Sequence, residues 1–217
     1  MHEIIPDFAY LLGAIKDGSI SVPSSGKCEI TLAADFYKNW LTDVIVPKAV
    51  KVFGIPETKI KLYSVKSHKS KIEFYRAKIY SKSIHEVLSK FYTPGNQRMW
   101  STPSIIKRSP LHIQIEYVKG FYDADGGCRD VNKFLQGKTK SINCEAGIAC
   151  VFKGEINEPL VFIKTLFQRF DINSFIRKTN NQLMITGKQN VLKLYQNFTP
   201  LNSRKRLMLE DLLRYYF

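Results

Sequence analysis

The sequence predicts an α+β protein built twice over, each half running helix, two strands, helix, two strands, helix. Three observations carry this. Residues 81–98 and 187–204 align without a gap at an offset of 106, so that Thr93-Pro94-x-Asn96-x-Arg98 falls on Thr199-Pro200-x-Asn202-x-Arg204. Two aspartate-glycine pairs, Asp17-Gly18 and Asp125-Gly126, recur at nearly the same offset, 108. Apolar and polar residues alternate in corresponding strands of the two halves, the signature of sheets with one buried face. A period near 100 residues is a duplicated domain and not a solenoid. The expected division is 1–98, a linker at 99–109, and 110–217 with an additional C-terminal helix.

The pattern predicts a helix over 7–17, short strands near 19–22 and 27–33, a long helix over 35–53, strands near 59–66 and 72–80, and a helix over 83–92. The second half gives a helix over 110–125, strands near 127–132 and 142–152, and a helix over 158–170. Strands near 172–178 and 182–186 follow, then a helix over 188–198 and a final helix over 203–216. Ser109-Pro110 is an N-cap and first-turn pair for the 110–125 helix. Asn180-Asn181 suits a tight hairpin turn. The matching turn of the first half is longer and basic, with Lys66, His68, Lys69 and Lys71.

Alternation assigns the strand faces. In 27–32, Cys28, Ile30 and Leu32 point one way, and Lys27, Glu29 and Thr31 the other. The 106 offset sets Ala77 on Leu183 and Ile79 on Ile185 as core positions. Arg76, Lys78 and Tyr80 then share the open face with Gln182, Met184 and Thr186. Plain solvent exposure explains one such face. Two of them in a chain with 33 Lys and Arg against 19 Asp and Glu, net charge +14, suggest a groove-reading saddle. A two-stranded ribbon fits the major groove of DNA, and side chains of these types read base edges.

Each Asp-Gly pair closes a nearly polar-free stretch, FAYLLGAIKDG at 8–18 and YVKGFYDADGG at 117–127. A helix C-terminus already carries partial negative charge, so a carboxylate there is mildly destabilising. A single Asp-Gly reads as a helix C-cap, since Gly is common just past a helix end. Its recurrence at the same place in two halves suggests that the acids serve a hard divalent cation.

Hydrophobic residues make up 44% of the chain, enough for a proper core. No apolar run approaches the roughly 20 residues of a spanning helix, and the N-terminus lacks a signal-peptide pattern. Cys28, Cys128, Cys144 and Cys150 form no CxxC pair, which fits reduced thiols in an intracellular, non-secreted protein.

These residues resemble the LAGLIDADG homing endonucleases. VKGFYDADG (118–126) matches the nine-residue motif at Gly120, Asp123, Ala124, Asp125 and Gly126, and LLGAIKDGSI (11–20) is a looser copy. The resemblance spans about 7–200. It implies a pseudo-twofold saddle of two antiparallel sheets with the two motif helices packed at its centre, Gly120 and Ala124 easing their approach. It implies Asp17 and Asp125 as catalytic metal ligands, with Gly18 and Gly126 beside them, and a structural role for Asp123. Mg²⁺ is the expected cofactor, with Mn²⁺ or Ca²⁺ able to replace it for binding. The implied reaction is hydrolysis of both strands of a DNA duplex across a minor groove, leaving short 3′ extensions. Lys78 and Lys153 are candidates for organising water at the scissile phosphates. Lys27, Glu29, Thr31, Lys66, Lys69, Lys71, Arg76, Lys78, Tyr80, Arg129, Lys178, Gln182 and Thr186 are the expected DNA contacts.

The first motif departs from the pattern. Counted from Gly13, Asp17 arrives one residue early. Either the start of the helix is shifted by one, or its last turn is tightened or bulged. Unlike halves imply an asymmetric target and a monomer. Residue 1 is no catalytic Cys or Ser and no His-Asn closes the sequence, so a free-standing enzyme is expected and not an intact intein. The alternatives are a splicing helper that binds its own intron RNA on the same scaffold, a DNA-binding regulator without cleavage, and a basic structural protein.

Overall fold

The structure of the protein, a computed structural model, describes residues 4–22, 28–66 and 73–217. The first half opens with α1 (Pro6–Ala14), which runs on as a 3₁₀ turn over Ile15–Asp17. Strands β1 (Ser19–Ile20) and β2 (Glu29–Asp35) follow, then α2 (Lys38–Trp40) and α3 (Val46–Phe53), which a π-helical stretch over Leu41–Ile45 joins into one rod. Pro47 accounts for the widened turn. It has no N–H for the bond to the fourth residue back, and one residue earlier Val46 donates to the Leu41 carbonyl instead. Strands β3 (Ile60–Lys66) and β4 (Glu73–Tyr80) and helix α4 (Lys82–Ser89) complete this half.

The second half repeats the order. After the short α5 (Ser104–Arg108) come α6 (Leu111–Asp125), β5 (Gly126–Cys128), α7 (Val131–Leu135) and β6 (Glu145–Ala149). Then come α8 (Glu158–Gln168), β7 (Ser174–Arg177), β8 (Gln182–Thr186), α9 (Lys188–Asn197) and α10 (Ser203–Tyr216). The sheets are antiparallel and ordered alike, β1-β2-β4-β3 and β5-β6-β8-β7. Ile30 and Ala146 pair with the core residues Ile79 and Ile185 at matching places.

The expected architecture is therefore present, with three local differences. Ser109 does not cap α6: its hydroxyl donates backward to the Ile105 carbonyl at 2.7 Å and closes α5, and α6 starts after Pro110. The β7–β8 connection is longer than a two-residue turn. A 3₁₀ turn over Lys178–Asn180 leads into Asn181 at φ 50°, a left-handed position Asn tolerates. Helix α7 falls where a strand and a loop are predicted, and Asp130 caps it by accepting from the Lys133 amide at 3.2 Å.

At the centre α1 packs on α6. A Cβ on Gly13 would overlap the Tyr117 carbonyl oxygen, and one on Gly120 would overlap that of Tyr10. Each glycine thus meets the residue three before the other, which fixes Gly13 and Gly120 as equivalents. The small-residue contact pairs Gly120 with Gly13 across the interface. No helix among the described residues is long and apolar enough to cross a membrane.

Candidate active site

The equivalence of Gly13 and Gly120 resolves the irregular first motif. From Gly120 to Asp125 the chain climbs five α-helical steps, about 7.5 Å at roughly 1.5 Å each. From Gly13 to Asp17 it climbs one α step and three 3₁₀ steps, also about 7.5 Å, since a 3₁₀ step rises roughly 2.0 Å. The tightened turn over Ile15–Asp17 absorbs the missing residue, and the Gly18 amide closes it on the Ile15 carbonyl at 2.7 Å. Both acids end their helices half-buried and line one cavity of about 610 Å³. Gly18 is required there, because a Cβ would overlap the Thr31 carbonyl oxygen where β2 crosses.

Burial raises the Asp17 carboxyl well above the usual range, and the nearby charge of Asp125 raises it further, against Lys205. Burial raises Asp125 as well, opposed by Lys205 and Lys16. Two carboxyls held together with unmet charge suit a divalent cation. Among the described residues no third His, Cys, Asp or Glu joins them into a cluster. The remaining ligands would come from water and substrate oxygens, the habit of Mg²⁺ and not of an all-protein cage.

Two buried lysines that the sequence reading missed serve the same place. Lys205, from α10, donates to the Ala124 carbonyl at 2.7 Å and the Tyr122 carbonyl at 3.2 Å, so it caps the C-terminal end of α6 beneath Asp125. Lys16 donates to the Trp100 carbonyl. Burial holds both ammonium groups below their ordinary range. One signal for Lys205 was legible, since it continues the buried stripe Leu209, Leu212, Leu213 of α10.

Asp123 is fully buried. It accepts from the Tyr10 hydroxyl at 2.5 Å and the Leu201 amide at 2.8 Å, and burial pushes its carboxyl up to about 6. Its contacts tie α1 and the segment before α10 to α6. Asp123→Ala leaves both donors unpaired and is expected to cost about 2–4 kcal/mol in denaturant unfolding.

The strand residues divide. Arg76 lines the cavity beside Asp17, and Thr31 does so too. Lys78 is absent from its lining. Its ammonium pairs with Glu29 at 2.7 Å and lies over the Tyr63 ring, and the Tyr80 hydroxyl donates to the same Glu29 at 3.0 Å. Lys153 is exposed on the loop after β6, its amide bound to the Arg98 carbonyl at 2.8 Å. A second hollow of about 420 Å³ holds Asp125, Gly126, Arg129, Glu145, Gln182 and Met184. Arg129 pairs there with Glu145 at 3.0 Å. The 106 offset sets Gln182 on Arg76 and Met184 on Lys78, so the two centres differ in their cationic groups. Lys66 and Lys178 are exposed and Thr186 is half-buried. Lys27, His68, Lys69 and Lys71 lie outside the described residues.

Fold and site together give two matched halves, each with a central helix that ends in one acid at a shared cavity. No protein-family model matches the chain. It is similar to homing endonuclease I-ApeI from Aeropyrum pernix, 29% identical over 168 residues, a match covering 75% of this chain and 65% of that relative. In structure it resembles I-DmoI in complex with DNA and Mn, with a TM-score of 0.55 and 15% identity over 89% of this chain and 96% of the other. It also resembles I-WcaI bound to its DNA recognition sequence, with a TM-score of 0.57 and 16% identity over 96% and 89%. At such identities the structural likeness establishes the fold.

Proposed function

We propose that the protein is a metal-dependent, site-specific endonuclease that cuts both strands of a long, asymmetric DNA target. The convergence of Asp17 and Asp125 on one cavity carries this reading, and its similarity to I-ApeI supports it. Mg²⁺, held by the two carboxylates, would activate water and stabilise the leaving oxygen. Solved I-DmoI complexes containing Mn and Ca, and one of a variant with Mg, favour a divalent ion.

The chain's own residues divide the remaining work. Asp17 and Asp125 hold the ion, and the carbonyls of Gly18 and Gly126 stand beside them. Arg76 offsets phosphate charge at the first centre and stands where Lys78 was expected to organise water. Lys78 and Lys153 become DNA contacts, since neither lines the cavity. Glu29, Tyr80, Arg129 and Gln182 offer donors and acceptors to base edges, and Lys66, Lys178 and Thr186 extend the surface, whereas Thr31, expected among them, is buried at the cavity wall. Residues 1–98 and 110–217 would each take one half-site, joined by 99–109. With unlike halves in one chain, a monomer suffices. We place it inside the cell, where its thiols stay reduced.

The test is selection from a pool of random duplexes in Ca²⁺. A single non-palindromic sequence is expected. Recovery of no duplex, with tight retention of structured intron RNA, would support the splicing helper. Affinity for the selected site should fall by about 10³- to 10⁵-fold between 50 and 200 mM salt, the loss expected for roughly 6–10 phosphate contacts, as a salt titration would show.

A further inference from the structure

Arg204 stands at the cavity with its hydrogen-bonding capacity unspent. It closes the second Thr-Pro-x-Asn-x-Arg copy, and the residues just before it are pinned on both sides. The Asn202 side chain donates to Asp35 of the first half at 2.6 Å and accepts from the Lys205 amide at 3.4 Å, capping α10. The Leu201 amide is held by Asp123. With this turn fixed, the Arg204 guanidinium lies over the Tyr37 ring, 5.3 Å from its centre, and lines the cavity with Asp17 and Asp125.

Its partners are too few. The Nε group is shielded from solvent and has no hydrogen-bond partner, and Nη1 reaches only the Met208 sulfur at 3.8 Å. Among the described residues no carboxylate pairs with it. The terminal nitrogens, with no carboxylate or carbonyl bound to them, are the donors left for an anion, and a phosphate offers oxygens matched to them. The Tyr37 ring is a cation–π partner that favours this placement of the guanidinium before any anion arrives.

We propose that Arg204 is a phosphate-binding residue, donating to the non-bridging oxygens of one DNA backbone phosphate seated in the central cavity. The proposal rests on the DNA-cutting reading above and adds a contact supplied by the C-terminal helix, not by the strands. It offsets the repulsion between that phosphate and the two acids. The site is one-sided. Arg98, the repeat counterpart, is exposed and absent from the cavity lining, and Gln97 stands there instead. One phosphate is therefore involved, not a symmetric pair.

The test uses the selected duplex in Ca²⁺, with single methylphosphonate replacements scanned along both strands against wild type, Arg204→Ala and Arg204→Lys. One replacement is expected to weaken wild-type binding about tenfold. Arg204→Ala should lose the same factor and show no further loss at that phosphate, while Arg204→Lys recovers part of the binding. Losses in Arg204→Ala that multiply with those of every replacement would overturn the contact while leaving the endonuclease reading intact. Failure of wild type to retain any duplex would overturn both. Circular dichroism melting of both variants separates a folding defect from a lost contact, and a folded Arg204→Lys keeps the scan decisive.

Discussion

Gly120→Ala is expected to destabilise the protein by about 4 kcal/mol or more, and Gly13→Ala by a similar amount. The sign opposes helix propensity, by which alanine gains about 1 kcal/mol over glycine in an isolated helix. Packing decides the outcome. The new methyl would overlap a backbone carbonyl of the facing helix, which has no rotamer by which to withdraw. Either α1 and α6 move apart along the central interface of the molecule, or the helix shifts along its axis and carries its aspartate with it. Gly127→Ala is the control. A Cβ there meets no atom within 4 Å, so the substitution should be nearly neutral in urea unfolding. Equal stability of Gly120→Ala and Gly127→Ala would contradict the close helix contact.

Asp17→Asn is expected to stabilise the metal-free protein near neutral pH while lowering cleavage by about 10³-fold or more. Burial and Asp125 raise the folded-state value of Asp17 above its unfolded value of 3.8. A carboxyl so raised binds its proton more tightly in the fold. Stability therefore falls as pH rises from about 4 toward neutrality, by at most about 1.4 kcal/mol per pH unit for one group. Asparagine does not titrate and escapes that part of the fall. Divalent cation should reverse the effect in wild type, raising its melting temperature at pH 8, and should do so far less in the variant. DNA binding should persist or tighten, since a negative charge leaves the phosphate site. A melting temperature for Asp17→Asn below that of wild type at pH 8 without metal would contradict the strained acid pair.

Much of this was legible in the residues because duplication writes each signal twice. Thr-Pro-x-Asn-x-Arg and the paired Asp-Gly steps gave the repeat, and alternation around Ala77 and Leu183 gave the buried sheet faces. Asp17 was matched to Asp125 despite its early arrival, and the two line one cavity. That a 3₁₀ turn would restore its height was not readable, because spacing alone leaves a shifted helix and a tightened turn equally open. Charge on a strand face was harder to rank. Arg76 and Lys78 lie on the same face two residues apart, and only the Glu29 side chain drawing in Lys78 separates them. Lys205 showed itself only faintly, through the apolar stripe it continues, and Lys16 and Arg204 were hidden for another reason. In a chain with 33 lysines and arginines, a buried or half-buried cation looks like any surface one until tertiary packing sets it against a carbonyl or a ring.

Metal-dependent cutting by the acid pair is decided by incubating wild type and Asp125→Asn, each with Mg²⁺ and with Ca²⁺, with a plasmid library of long random inserts. Linearisation at one long, asymmetric site is expected for wild type with Mg²⁺, and its loss with Asp125→Asn. A wild-type protein that leaves every plasmid closed, or an Asp125→Asn variant that cuts as fast as wild type, would contradict it.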